Sequence, residues 1–204
     1  MPEATYFAPA KINLFLHITS KRVDGYHNLQ TIFQLLDFGD EITFSLRNDG
    51  EINRIYGNEV IPPDKDLILL SANALKKYSK TLSGVDIGVI KKIPAGGGLG
   101  GGSSNAATVL IALNDLWNLK LTKSKLLDIG QTLGADVPVF VNGFSAWAEG
   151  KGDILSPINL PRFFYLVVSI NKHISHSRNF HSQSIDNVTG TKENIRLFIG
   201  FKST

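Results

Sequence analysis

The run Pro94-Ala95-Gly96-Gly97-Gly98-Leu99-Gly100-Gly101-Gly102-Ser103-Ser104-Asn105 carries the most specific chemistry in this 204-residue chain. Six of the seven residues from Gly96 to Gly102 are glycine. Backbone without Cβ atoms reaches positive φ, and its N–H groups can converge on one point. Ser103, Ser104 and Asn105 then offer N-cap side chains ahead of an apolar-periodic stretch from Ala106 to Leu119. A glycine loop that opens into a helix N-terminus is an anion site, and the usual anion is phosphate. A flexible linker has similar composition, but it is not normally framed by an apolar strand such as Val85 to Ile93 and a strong helix.

The loop fits no common nucleotide signature in full. In the Walker A spacing Gly97 and Gly102 fall in place, but Ser103 stands where the lysine belongs. Gly96-x-Gly98-x-x-Gly101 matches the dinucleotide fingerprint, yet the region about 20 residues on, Leu119-Lys120-Leu121, holds no acid. Asp37-Phe38-Gly39 imitates a protein-kinase motif but precedes the loop, and no His-Arg-Asp segment exists. That tripeptide reads as a turn before a strand from Glu41 to Leu46.

The elements that must position this chemistry follow from periodicity. Ile12, Leu14, Leu16 and Ile18 alternate, so one face of a first strand is expected in the core. Lys11, Asn13, Phe15 and His17 share the other face. Neighbours two apart on a strand lie about 6–7 Å from each other, so Lys11 and Asn13 can address one ligand or form an exposed polar face. Asp24-Gly25 marks a turn, and Leu29–Leu36 a strand. Tyr26 and His27, just past that turn, are either a platform for a nucleobase or half-buried loop rings. Asn48-Asp49-Gly50 reads as a hairpin turn, and Pro62-Pro63 closes the meander.

Asp66 is expected to cap a helix running through Tyr78. The helix after the glycine loop has an apolar stripe of Ala107, Leu110, Leu113 or Asn114, and Trp117. Thr122 starts another helix and Gly134 ends it. Asp136 follows at once, placed either to enter a cleft as a base or to cap a helix before Val137-Pro138. Lys91 is a phosphate contact or a surface lysine. Ser145–Glu149 and Phe164–Ile170 read as strands. Beyond Asn171 no period emerges, and His173, His176 and His181 lack a metal-ligand framework.

Pro94 to Ala107 resembles the second motif of the GHMP kinases, the galactokinase–homoserine kinase–mevalonate kinase superfamily. Pro9-Ala10-Lys11-Ile12-Asn13-Leu14 is similar to the first motif. Asp24-Gly25-Tyr26-His27-Asn28-Leu29-Gln30-Thr31 and Leu133-Gly134-Ala135-Asp136-Val137-Pro138-Val139-Phe140 resemble one branch of that superfamily. This branch phosphorylates the 2-hydroxyl of a cytidine diphosphate-linked methylerythritol in non-mevalonate isoprenoid precursor synthesis. The resemblance runs from about Tyr6 to Val168.

The resemblance implies an α+β fold: an N-terminal domain like ribosomal protein S5 domain 2 over residues 1–170, with a C-terminal ferredoxin-like domain largely missing. Residues 171–204 are expected to be a remnant or disordered tail, since no third glycine motif of the form Thr-Gly-x-Gly follows. It implies ATP and Mg²⁺ as cofactors. Pro94 to Gly102, with Ser103 and Ser104, would bind ATP, and Ser103 or Ser104 would touch the metal. Lys11 and Asp136 would be catalytic. Asp136 would act on the substrate hydroxyl while Lys11 favours the charged carboxylate and the developing alkoxide. Asn13, Tyr26, His27 and Phe180 would bind the cytidine-bearing substrate. Other outcomes are a silent remnant that binds nucleotide only, or another small-molecule kinase of the superfamily.

Composition is that of an ordinary soluble protein, with a cytoplasmic location expected. Hydrophobic residues make up 43% and charged residues 19%, and there is no cysteine for disulfide or thiolate chemistry. No apolar run approaches the ~18 residues of a membrane span, and Met1-Pro2-Glu3 opens no signal peptide. The net charge of +3 lies in the tail, which holds five basic and two acidic residues. The charge-balanced body argues against nucleic-acid binding.

Overall fold

A computed structural model describes residues 3–57 and 61–168. Two long strands, β1 (Ala4–Lys21) and β2 (His27–Arg47), form an antiparallel hairpin around Asp24-Gly25. β2 is the spine of a six-stranded sheet. β1 runs along one edge of it, and β4 (Gly84–Ile90) and β5 (Ala146–Glu149) pair with the opposite edge. β6 (Ile154–Pro157) extends β5, and β3 (Ile52–Tyr56) lies parallel to β4 at the other end.

Helices α1 (Leu67–Ser79), α2 (Gly101–Leu116), α3 (Lys123–Leu133) and α4 (Val137–Asn142) share one core with the sheet. This is the expected α+β architecture. α2 is buried on nearly every side from Ser104 to Leu113, because small residues (Ala106, Ala107, Ala112) let its neighbours approach closely. Leu110 and Leu113 are fully buried, each contributing about 1.5–3 kcal/mol. Local caps fall where the sequence puts them: Asp66 accepts from the Ile68 N–H at 2.9 Å, and Thr122 from the Lys125 N–H at 3.4 Å. No helix of the described residues is long and apolar enough to cross a membrane.

Several local expectations are corrected. Asn48-Asp49-Gly50 joins two strands that do not pair, because β4 inserts between β2 and β3 after the α1 crossover. Asp37-Phe38-Gly39 is no free turn but part of a bulge inside β2, where Leu36 to Phe38 have no register partner on β1. Gly39 is needed there, since a Cβ would lie 2.2 Å from the Ala8 carbonyl oxygen. The alternation along β1 also breaks. Bulges between Pro9 and Lys11 and between Asn13 and Leu16 re-aim its faces, burying Lys11 (6% exposed) and exposing Leu16 (43%).

β4 ends at Ile90, short of Ile93, because the next backbone groups bond to a side chain. Within Phe164–Val168 only an isolated bridge at Leu166 forms instead of a strand. The segment 171–204, with Phe180, His173, His176 and His181, lies outside the described residues.

Candidate active site

The glycine loop enters α2 differently from the sequence expectation. The N-cap is Gly100, at φ 72°, with no side chain to cap the first turn. Ser103, Ser104 and Asn105 fall inside the helix. A left-handed cap excludes the extended serine cap, so the first-turn N–H groups are left for a ligand. Gly100 is tightly enclosed. A Cβ there would sit 2.8 Å from Phe140 Cζ of α4 and 3.1 Å from Lys11 Cγ of β1. The Lys11 N–H donates to the Leu99 carbonyl at 2.9 Å. Loop, β1 and α4 are thus fastened together at one residue.

Lys11 and Asp136 meet across that junction. The buried Lys11 Nζ lies 3.3 Å from Asp136 Oδ2 and donates to Asn13 Oδ1 at 2.6 Å. It also sits 5.2 Å from the Phe33 ring centroid. Asn13 Nδ2 donates to Thr31 Oγ1 at 2.8 Å, and Thr31 donates to the Phe15 carbonyl at 2.5 Å. This relay fixes the Asn13 amide and, through it, the lysine. Asp136 occupies the N-cap position of α4, yet its side chain makes no cap bond. Its carboxylate is 35% exposed and turned to Lys11, so it does not serve as the side-chain cap of α4.

A cleft of ≈ 230 Å³ opens on the loop, lined by Pro94 to Gly102, by Arg54, Lys65 and Lys91, and by the start of α1. Neither Lys11 nor Asp136 lines it, so the loop separates an open cleft from the ion pair. Asp66 caps α1 and holds Arg54 at 2.9 Å on the cleft wall. Ser103 is half-buried, with its Oγ 3.6 Å from where a Cβ on Gly134 would be, two residues before Asp136. Ser104 is fully buried, and its Oγ finds no partner among the described residues, nor does Asn105 Oδ1.

Tyr26 and His27 are not brought beside Lys11. They sit at the tip of the β1–β2 hairpin, where His27 pairs with Lys21. Tyr26 is 61% exposed, with the Lys151 ammonium 5.2 Å from its ring centroid. Asp24 shapes the tip by accepting the Tyr26 N–H at 3.1 Å. Partial desolvation raises the Asp24 carboxyl, but bonds from Arg22 and the Tyr26 N–H outweigh it and hold the group below its usual value.

Sequence reasoning missed Thr31, Phe33 and Asp40. Asp40 is wholly buried and accepts the N–H groups of Lys92 (2.7 Å) and Ile93 (2.8 Å), while Lys91 pairs with it. Its one visible signal is its place next to Gly39, in the tripeptide set aside as a turn.

Residues 66–144 match the family described as GHMP kinases N terminal domain. The 4-diphosphocytidyl-2-C-methyl-D-erythritol kinase of Ruthia magnifica subsp. Calyptogena magnifica is 60% identical over 172 residues, covering 84% of this chain and 60% of the relative. The enzyme of that name from Alkalilimnicola ehrlichii is 52% identical over 178 residues, covering 87% and 61%. The chain therefore spans about 60% of the length of these curated relatives. A crystal structure of 4-(cytidine 5'-diphospho)-2C-methyl-D-erythritol kinase superposes with a TM-score of 0.68 at 37% identity, covering 78% of this chain and 56% of that one. Mevalonate kinase from Methanococcus jannaschii shares the fold at 17% identity, with a TM-score of 0.56 and the same coverage. The chain is thus 52–60% identical to these two relatives over most of its own length, and its residues 66–144 carry the GHMP kinase N-terminal domain.

Proposed function

We propose that the chain performs the ATP-dependent phosphorylation of the 2-hydroxyl of 4-diphosphocytidyl-2-C-methyl-D-erythritol, as the names of its relatives suggest. The observation that carries this is the Lys11–Asp136 pair fastened to the uncapped start of α2. In this reading the nucleoside of ATP lies in the cleft and its phosphates follow the loop to the first turn of α2. The domain at work is residues 1–170.

The chemistry follows from charge and position. The substrate hydroxyl oxygen attacks the γ-phosphorus, an oxygen–phosphorus bond forms, and the bond to the β-phosphate oxygen breaks, releasing ADP. Asp136 accepts the hydroxyl proton or orients it, and a base so placed contributes about 10²–10⁴-fold. The Lys11 ammonium faces the developing alkoxide, and the loop N–H groups face the charge that moves toward ADP. Asn13 and Thr31 fix the lysine so that little reorganisation accompanies transfer.

Mg²⁺ that arrives with a triphosphate needs few protein oxygens. Among the described residues no group of three or more His, Cys, Asp or Glu stands ready for a metal. The half-buried Ser103 hydroxyl, on the Gly134 side of α2, fits such a role better than the fully buried Ser104. The ion neutralises phosphate charge when bound. Tyr26 and His27 are the side chains we assign to the cytidine end, from the motif they share with the family.

The test is ADP release by the purified chain with ATP and Mg²⁺, comparing the diphosphocytidyl substrate with mevalonate, homoserine and galactose. Turnover with the first alone supports the proposal. Turnover with one of the others, or with none while ATP still binds, refutes it.

A further inference from the structure

On the reading of the cleft as the nucleotide site, we propose that Asp40 is a positioning residue that holds the Lys91 ammonium against the phosphates of the bound nucleotide. Asp40 has no exposed surface. One oxygen accepts the Lys92 and Ile93 N–H groups, which steers the chain from β4 into the glycine loop. The other takes the Lys91 ammonium.

The Lys91 side chain is 27% exposed, lines the cleft, and places Nζ 3.3 Å from where a Cβ on Gly101 would sit. Gly101 is the first residue of α2, the positive end of that helix. Two positive groups therefore converge at one point. They repel each other unless negative charge sits close by, and Asp40 supplies it only from behind. The cleft side is open to an anion. Arg54 reaches instead to Asp66 and the Gly57 carbonyl, and Lys92 to Glu41.

The experiment is calorimetric titration of ATP and of adenosine into the full chain and into Lys91→Gln, Asp40→Asn and the double variant. Loss of a charge-assisted contact predicts that Lys91→Gln weakens ATP about tenfold or more and adenosine less than about twofold. Asp40→Asn keeps an acceptor for the two N–H groups and loses the charge. It should weaken ATP about threefold or more when Lys91 is present, and less than about twofold in the K91Q background.

Equal losses for ATP and adenosine, or an Asp40→Asn effect that is the same with and without Lys91, overturn the proposal. If Asp40→Asn does not fold, Asp40→Glu takes its place: by displacing the carboxylate it should weaken ATP when Lys91 is present and not in the K91Q background, and an equal effect in both overturns the proposal. A wild-type chain that binds neither ligand refutes the nucleotide reading itself, and this proposal falls with it.

Discussion

Gly100→Ala probes the junction on which the site depends. Two costs can be worked from the structure. A left-handed φ of 72° disfavours a Cβ by about 1–2 kcal/mol. The new methyl would also sit 2.8 Å from Phe140 Cζ and 3.1 Å from Lys11 Cγ, an overpacking worth about 1–3 kcal/mol. Together these give about 2–5 kcal/mol, a large part of the stability of a typical domain. For a chain of this size that lowers the melting temperature by roughly 4–20 °C.

Because Lys11 is one of the two groups displaced, kcat should fall further than the fraction of folded protein explains. Gly102→Ala is the control. It lies inside α2, and its Cβ meets only the flexible end of Leu67 at 3.3 Å, so stability should stay within about 1 kcal/mol of wild type. The assay is a thermal melt followed by circular dichroism, with ATP turnover measured below the transition. If Gly100→Ala melts within a degree of Gly102→Ala, the packing argument is wrong.

Thr31→Val removes a fully buried hydroxyl that both donates to Phe15 and accepts from Asn13, at a cost of about 1–3 kcal/mol. It should lower kcat with little change in the KM for ATP, and an unchanged kcat would show that the relay does not position Lys11. Asp49, bonded by Arg47 and then by the Glu51 N–H, is held down to about 2 from an ordinary 3.8. A depressed pKa means its stabilising charge persists as pH falls through 3.8 and is lost only near pH 2. An NMR titration of its carboxyl should show that midpoint, and a midpoint near 4 would contradict the geometry.

What was legible in the sequence was mostly local. The glycine run, the Asp66 and Thr122 caps and the end of α3 after Leu133 are set by residues a few positions apart. Lys11 and Asp136 come together only through topology, and no period or spacing links them. Their pairing was expected from the resemblance to a family and appears here as a 3.3 Å contact. Alternation along β1 misled because bulges turned Lys11 inward and Leu16 outward. The supposed hairpin at Asn48-Asp49-Gly50 failed because its neighbouring strand arrives from after α1. Asp40 escaped notice because its partners are two backbone groups and a lysine far along the chain.

The most direct test of the central claim is to identify the product made from ATP and 4-diphosphocytidyl-2-C-methyl-D-erythritol by the wild-type chain and by Asp136→Asn, using ³¹P NMR. A phosphomonoester on the 2-hydroxyl from the wild type, slowed about 10²-fold or more in a variant that folds and binds ATP normally, is the result this account predicts. Undiminished product from Asp136→Asn would contradict it, because transfer would then not depend on the carboxylate that faces Lys11.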